Sequence, residues 1–174
     1  MGSQGFADGA AAGDRKNMVA DKTGALFMIR LADEDDFEAV LDMYDRFEPK
    51  RCAQGLPPED ALHRKRLVRS ILSEPLNVVC ESDDAVVGHA CLIDIDPGVR
   101  AELEIAVHQD WRDRGLGKEI LSVLFDLART WRYRSIWLTV ANANRRAVHL
   151  YRQFGFSFVG PPDSELEMEL VLAE

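Results

Sequence analysis

The fold is decided by residues 102–117, which read ELEIAVHQDWRDRGLG. Apolar residues at 103, 105 and 107 alternate with Glu102, Glu104 and Ala106, and this period of two predicts a β-strand. A loop with two glycines, Gly115 and Gly117, then leads into a helical pattern that begins at Leu116. A helix that starts after such a turn presents unpaired backbone N–H groups and a partial positive charge, which together bind phosphate. The loop has neither the GxGxxG nor the GxxxxGK[ST] pattern, so alone it fits a plain tight turn with solvated arginines equally well.

The sequence after this helix predicts a strand, a capped helix and two more strands. Residues 135–141 alternate as a strand, and Asn144 is a suitable N-cap for a helix that ends near Phe154. Gly155 is a suitable residue to follow that helix, because glycine adopts the left-handed conformation there without strain. Residues 156–160 and 165–172 predict the last two strands.

The preceding half predicts the remaining elements of a single α+β domain. We expect a strand at 26–30, helices at 33–47 and 59–73, and a hairpin of strands at 76–81 and 85–94. The order β-α-α-β-β-β-α-β-α-β-β predicts a central mixed, mostly antiparallel sheet flanked by helices. Residues 1–25 are rich in glycine and alanine and predict a flexible tail, which leaves 26–174 as the domain.

Composition excludes several classes of function. The chain of 174 residues has a formal net charge of -9, which argues against nonspecific binding to nucleic acid or to an anionic membrane. Its apolar runs are shorter than the ~18 residues of a membrane span. Cys52, Cys80 and Cys91 lack the spacing of a metal site, so we expect no metal. Unpaired cysteines suit a reducing compartment, and hence the cytoplasm.

Two motifs at a fixed distance resemble the GNAT acyltransferase superfamily. That family's acetyl-CoA loop reads [QR]-x-x-G-x-[GA], which this chain meets with Arg112, Gly115 and Gly117. The downstream pattern N-x-x-A-x-x-L-Y-x-x-x-G-F is met by Asn144, Ala147, Leu150, Tyr151, Gly155 and Phe156. One helix and one strand separate the two motifs, as in the family. The resemblance implies the GNAT (acyl-CoA N-acyltransferase) fold and acetyl transfer from acetyl-CoA to a primary amine.

The resemblance also implies where the cofactor lies. The strands at 102–108 and 135–141 would be parallel and would separate near their ends, so that the pantetheine arm bonds to backbone in the gap. The loop N–H groups would hold the pyrophosphate. The implied cofactor-binding residues are Ile105, Ala106, Val107, Arg112, Asp113, Arg114, Gly115, Leu116, Gly117, Lys118, Asn144 and Tyr151.

Three side chains are the candidates for catalysis. Glu102 and Glu104 lie on one strand face, and either could deprotonate the amine; the family places its working glutamate at the position of Glu102. Both could equally be solvent-facing strand residues. Tyr151 matches the family tyrosine that protonates the leaving thiolate, although it also fits the apolar stripe of its helix. The Val107 N–H is the candidate oxyanion donor.

The acceptor is not determined by the sequence. The resemblance implies direct attack in a ternary complex by an amine of a small molecule, or by a protein lysine or N-terminus. The acceptor would enter through the variable region 47–59. A homodimer is compatible with the pattern. The alternative function is a non-catalytic acyl-CoA-binding or sensor module of the same fold.

Overall fold

The computed structural model describes residues 17–50 and 57–172. Its helices are α1 (Phe37–Asp45), α2 (Ala61–Leu72), α3 (Leu116–Thr130) and α4 (Arg145–Gln153). Its strands are β1 (Asn17–Ala20), β2 (Leu26–Leu31), β3 (Leu76–Ser82), β4 (Ala85–Asp96), β5 (Arg100–Val107), β6 (Ser135–Ala141), β7 (Ser157–Val159) and β8 (Glu165–Val171). Cys52 lies outside the described residues.

All eight strands form one sheet in the order β1-β2-β3-β4-β5-β6-β8-β7. Among the strands of the described residues, only β5 and β6 are parallel neighbours, and the other neighbours are antiparallel. The parallel pair arises because α3 carries the chain from the end of β5 back to the start of β6. The prediction of a mixed, mostly antiparallel sheet flanked by helices is therefore confirmed.

The N-terminal end differs from the sequence prediction. Residues 1–25 were expected to form a flexible tail, but Asn17–Ala20 pairs with β2 as an antiparallel edge strand. Val19 is half-buried and packs against the main core, which accounts for the ordering of this short segment. A strand of four residues is too short for its alternation to be recognised in the sequence. Residues 1–16 lie outside the described part of the chain.

Local sequence signals account for the turns and helix ends. Asp83 and Asp84 link β3 to β4 with φ of 49° and 64°, the pattern of a two-residue hairpin turn. The Asn144 side chain accepts a hydrogen bond from the Ala147 N–H at 3.2 Å, so it caps α4 as predicted. The predicted helix at 33–47 begins instead with a 3-10 turn at Glu34–Asp36, which Asp33 caps.

Helices cover both faces of the sheet and divide its core in two. On one face, α3 and α4 pack over the larger cluster, whose fully buried members include Ile120, Leu124 and Leu138. On the other face, α1 and α2 pack over a smaller cluster around Val40, Met43 and Cys91. Cys80 and Cys91 are buried free thiols, as expected. Across residues 17–50 and 57–172, the helices lack the length and apolar character of a membrane span.

A buried histidine lies in the smaller cluster. His89 accepts a hydrogen bond at Nδ1 from the Tyr44 hydroxyl at 3.2 Å and donates from Nε2 to Asn77 Oδ1 at 2.9 Å. The Asn77 amide nitrogen donates to the Ile71 and Glu74 carbonyls, which leaves its oxygen as the acceptor. Burial lowers the pKa of His89 to about 4, so the ring stays neutral and links α1, α2 and the sheet.

Replacing Leu124 with alanine should destabilise the protein by about 2–5 kcal/mol, because its side chain is fully buried beneath α3. The matched control is Leu62→Ala, since Leu62 is 56% exposed on α2 and its truncation should cost within about 0.5 kcal/mol. Urea denaturation measures both. Equal midpoints for the two variants would contradict the assignment of α3 to the core.

Candidate active site

The parallel strands β5 and β6 separate partway along their length. They pair only at Arg100–Ser135, Ala101–Ile136 and Glu102–Trp137, although β5 continues to Val107 and β6 to Ala141. Backbone N–H and C=O groups beyond these pairs face a gap instead of a neighbouring strand. Buried backbone groups need hydrogen-bond partners, so the gap is a place where an extended ligand can add to the sheet.

The two glutamates of β5 lie on one face of the sheet, as predicted. Leu103 belongs to the core beneath α3, whereas Ala106 belongs to the cluster beneath α1 and α2. Because side chains alternate along a strand, Glu102 and Glu104 share the face of Ala106. Glu102 is at the last paired position of the β5–β6 ladder, and Glu104 comes two residues later, beside the gap.

Glu104 has the electrostatics expected of a general base. Burial raises its pKa to about 7, and the neighbouring Glu102 carboxylate adds to the rise. Burial also raises the pKa of Glu102, which is more exposed to solvent. Within the described residues, neither carboxylate accepts a hydrogen bond from the protein, so both are free to meet a ligand.

Tyr151 approaches the same place from α4. Its ring is 8% exposed and packs at 5.7 Å from that of Phe156, centroid to centroid. Burial raises the pKa of Tyr151 well above its ordinary value, and the charge of Glu104 raises it further. The phenol therefore stays protonated at neutral pH. It has no hydrogen-bond partner among the residues that the structure describes, so its O–H is available as a proton donor.

The loop between β5 and α3 presents the backbone N–H groups of residues 113–117 towards open space, and we call this set of groups the cradle. Gly115 adopts φ +93° as the residue before α3, and Asp113 adopts φ +64°. Among the described residues, the backbone N–H groups from Asp113 to Gly117 have no acceptor. They lie at the N-terminus of a helix of 15 residues, where the partial positive charge favours an anion.

The two loop arginines contact protein rather than the space above the cradle. Arg112 donates from Nε to the Val107 carbonyl and from Nη2 to the Glu48 carbonyl, both at 3.2 Å. Its guanidinium also lies 5.0 Å from the centre of the Phe47 ring. Arg114 stacks on Trp111 at 4.5 Å. A direct contact of the Arg112 side chain with phosphate stays a prediction, and its observed partners lie towards α1.

Residues before α3 also hold the segment 46–48 that follows α1. Gln109 accepts from the Glu48 N–H at 2.8 Å and donates to the Arg46 carbonyl at 2.9 Å. His108 makes a 3.2 Å hydrogen bond from Nε2 to the same carbonyl. Together with Arg112, these side chains form a clamp on 46–48. Gln109 was not among the predicted site residues, because nothing in a single sequence indicates a contact across 61 positions.

The remaining predicted cofactor residues line the two sides of the gap and loop. Ile105 to Val107 end β5, Asn144 caps α4, and Lys118 is exposed in the first turn of α3. Arg146 of α4 pairs with Asp113 at 2.7 Å, which joins the two sides. In residues 17–50 and 57–172, no group of three or more His, Cys, Asp or Glu side chains could hold a metal ion.

Solved structures with the same fold include known GNAT-family members. The GNAT domain of S. lividans PAT superimposes with a TM-score of 0.74 at 15% identity, covering 90% of this chain and 97% of that one. YncA, a putative acetyltransferase from Salmonella typhimurium solved with acetyl-CoA, gives a TM-score of 0.68 at 23% identity, covering 91% and 95%. At these identities the likeness establishes the fold.

Sequence relatives cover shorter stretches. A streptothricin acetyltransferase from Streptomyces lavendulae is 37% identical over 57 residues, 33% of this chain and 30% of the relative. A spermine/spermidine N(1)-acetyltransferase from Bacillus subtilis is 33% identical over 66 residues, 37% of this chain and 43% of the relative. The chain thus aligns with less than half the length of either relative.

A family model described as acetyltransferase (GNAT) family matches residues 37–156, which include the strand gap, the N–H cradle and Tyr151. The matched stretch is more than half of the chain. The protein therefore belongs to the GNAT acetyltransferase family.

Proposed function

We propose that the protein transfers an acetyl group from acetyl-CoA to a primary amine that carries additional positive charge. The observation that carries this proposal is Glu104, a carboxylate beside the gap between β5 and β6 whose pKa is raised to about 7. A base with this pKa is half deprotonated near neutral pH, which suits proton transfer from an ammonium group.

The residues around the gap fit acetyl-CoA, which supplies the activated acetyl thioester. The N–H groups from Asp113 to Gly117 are without protein acceptors and would bind the diphosphate. The backbone of Ile105 to Val107 would bond to the pantetheine arm, with Asn144 and Lys118 at the flanks of the site. The Val107 N–H would stabilise the charge that develops on the carbonyl oxygen.

Glu104 acts as the base in this proposal. It removes a proton from the acceptor nitrogen, whose lone pair then bonds to the acetyl carbon while the carbon–sulfur bond breaks. The family position of the base corresponds to Glu102, but Glu104 is the more deeply buried carboxylate and its pKa is the more suitable. Glu102 contributes by raising the pKa of Glu104 through its negative charge.

Tyr151 acts as the acid. Its O–H donates a proton to the leaving sulfur, which would otherwise depart as a thiolate. Since burial keeps the phenol protonated, it is in the correct state throughout the neutral range. The electrostatic influence of Glu104 on Tyr151 supports the placement of acid and base around one reacting centre.

An acidic face of the sheet that the described helices leave uncovered supports a cationic acceptor. The strand register places Glu102, Trp137 and Glu169 in one row across β5, β6 and β8. In the next row on the same face, Thr139 of β6 lies opposite Glu167 of β8. The helices α1 and α2 pack over β3 and β4 and leave this row half-exposed. Glu169 is paired with the Arg100 guanidinium at 3.4 Å, so Glu102 and Glu167 are the carboxylates of these rows that can attract a positively charged amine. The similarity to a spermine/spermidine N(1)-acetyltransferase supports the same class.

Release of free thiol from acetyl-CoA across a panel of amines tests the proposal. The panel contains propylamine, spermidine, a neutral amino acid and a lysine-bearing peptide. We expect amine-dependent release, with the highest kcat/KM for spermidine. Binding of CoA without release in the presence of any amine would establish the non-catalytic module instead. A preference for propylamine over spermidine would refute the cationic acceptor.

Glu104→Gln should lower kcat by about 100-fold or more, since a general base contributes about 10²–10⁴ in rate. The wild-type rate should rise with pH up to about 7 and level off above it, because the base works when deprotonated. Glu102→Gln is the matched control. This variant should keep most of its activity. The rise of its rate with pH should occur at lower pH than in the wild type, because removal of the neighbouring charge lowers the pKa of Glu104. The opposite ranking of the two variants would make Glu102 the base.

Tyr151→Phe should lower kcat by about 100-fold while the Kd for CoA stays within about twofold, because the hydroxyl serves the leaving group. Tyr133→Phe is the control. It also removes a tyrosine hydroxyl, but that hydroxyl donates to Asp94 at 2.6 Å and lies just before the start of β6. Steady-state kinetics and calorimetry with CoA provide the two readouts. Unchanged kcat in Tyr151→Phe would remove this residue as the acid.

A further inference from the structure

The turn between β1 and β2 lies directly against the N–H cradle. The Lys22 N–H donates to the Arg114 carbonyl at 3.1 Å, which joins the two loops backbone to backbone. The Asp21 carboxylate lies 3.5 Å from the Arg114 guanidinium and its side chain is completely buried. Two contacts thus hold residues 21–22 beside the start of α3.

Asp21 also fixes the shape of this turn. Its Oδ1 accepts hydrogen bonds from the Thr23 N–H and hydroxyl, both at 2.7 Å, and from the Ala25 N–H at 3.0 Å. A side-chain oxygen with three donors defines the backbone conformation of the residues that follow it. The direction in which Lys22 leaves the turn is therefore determined by buried contacts, even though Lys22 itself is exposed.

The Lys22 side chain crosses over Gly115. A Cβ atom placed on Gly115 would lie 3.7 Å from the Lys22 Cε and 3.8 Å from its Cγ. Among the described residues, no carboxylate lies within 4.0 Å of the Lys22 ammonium group. The hydrogen bond from Arg146 lowers the pKa of Asp113, and the charge of Lys22 is a smaller cause of the same shift. The ammonium group is therefore near the cradle and free to bind an anion.

We propose that Lys22 binds the diphosphate of acetyl-CoA together with the N–H groups of the cradle. The inference rests on the proposed function for the identity of the anion. Both loop arginines already contact protein groups, whereas Lys22 brings an unpaired positive charge over Gly115. The N-terminal hairpin thus becomes part of the cofactor site, and β1 has the role of holding Lys22 in place.

Calorimetric titration with CoA and with 3′-dephospho-CoA tests this assignment. Lys22→Ala should weaken both ligands by about tenfold, the effect of one lost charge-assisted hydrogen bond. Lys22→Arg should bind both within about threefold of wild type. Lys65→Ala removes the same charge from the exposed face of α2 and should leave both affinities unchanged. Thermal unfolding should be unchanged in Lys22→Ala, because the side chain is exposed.

Three results would overturn the inference in distinguishable ways. Equal affinity of Lys22→Ala and wild type would remove Lys22 from the site while leaving the proposed function intact. Weaker binding of CoA with unchanged binding of 3′-dephospho-CoA would assign Lys22 to the 3′-phosphate and refute the diphosphate contact. Failure of the wild-type protein to bind either ligand would refute the proposed function, and the inference would fall with it.

Discussion

The end of the β5–β6 ladder after Glu102 and Trp137 is the constraint on which the rest of the site depends. Parallel strands that diverge leave backbone groups without strand partners in the interior of the sheet. The same divergence opens the space that brings Glu104 of one strand and Tyr151 of α4 within electrostatic reach of each other. One interrupted set of hydrogen bonds therefore provides a place for an extended ligand beside the two groups that we propose act on it.

Charge is distributed unequally around this gap. At the loop end, N–H groups and Lys22 make the surroundings positive, which suits phosphates. On the sheet face that the described helices leave uncovered, Glu102 and Glu167 make the surroundings negative. The two ends thus favour ligands of opposite sign, and the partly buried Glu104 lies between them. A net charge of -9 for the whole chain conceals this separation.

Local sequence patterns predicted the parts of the site that depend on interactions between residues close together in the chain. Alternation placed Glu102 and Glu104 on one face, the glycines predicted the turn before α3, and Asn144 was recognised as a cap because its bond spans three residues. Which of the two carboxylates has the higher pKa, and the contacts of Arg112, were not predictable, since both depend on packing by distant segments. The edge strand β1 was missed for a related reason: its order comes from pairing with β2 and from Val19 packing on the core.

The clamp of His108, Gln109 and Arg112 on residues 46–48 has a thermodynamic consequence. These side chains belong to the connection that leads into the cradle, and they hold the backbone of residues 46–48, next to the region where we expect the acceptor to enter. A ligand that shifts this connection must shift residues 46–48 with it or break their hydrogen bonds. In the proposed ternary complex, occupancy of the cradle and occupancy of this entrance would be energetically coupled, with the same coupling free energy in both directions. Cooperativity between two substrates can thus arise within a single small domain, through three side chains and no moving subunit.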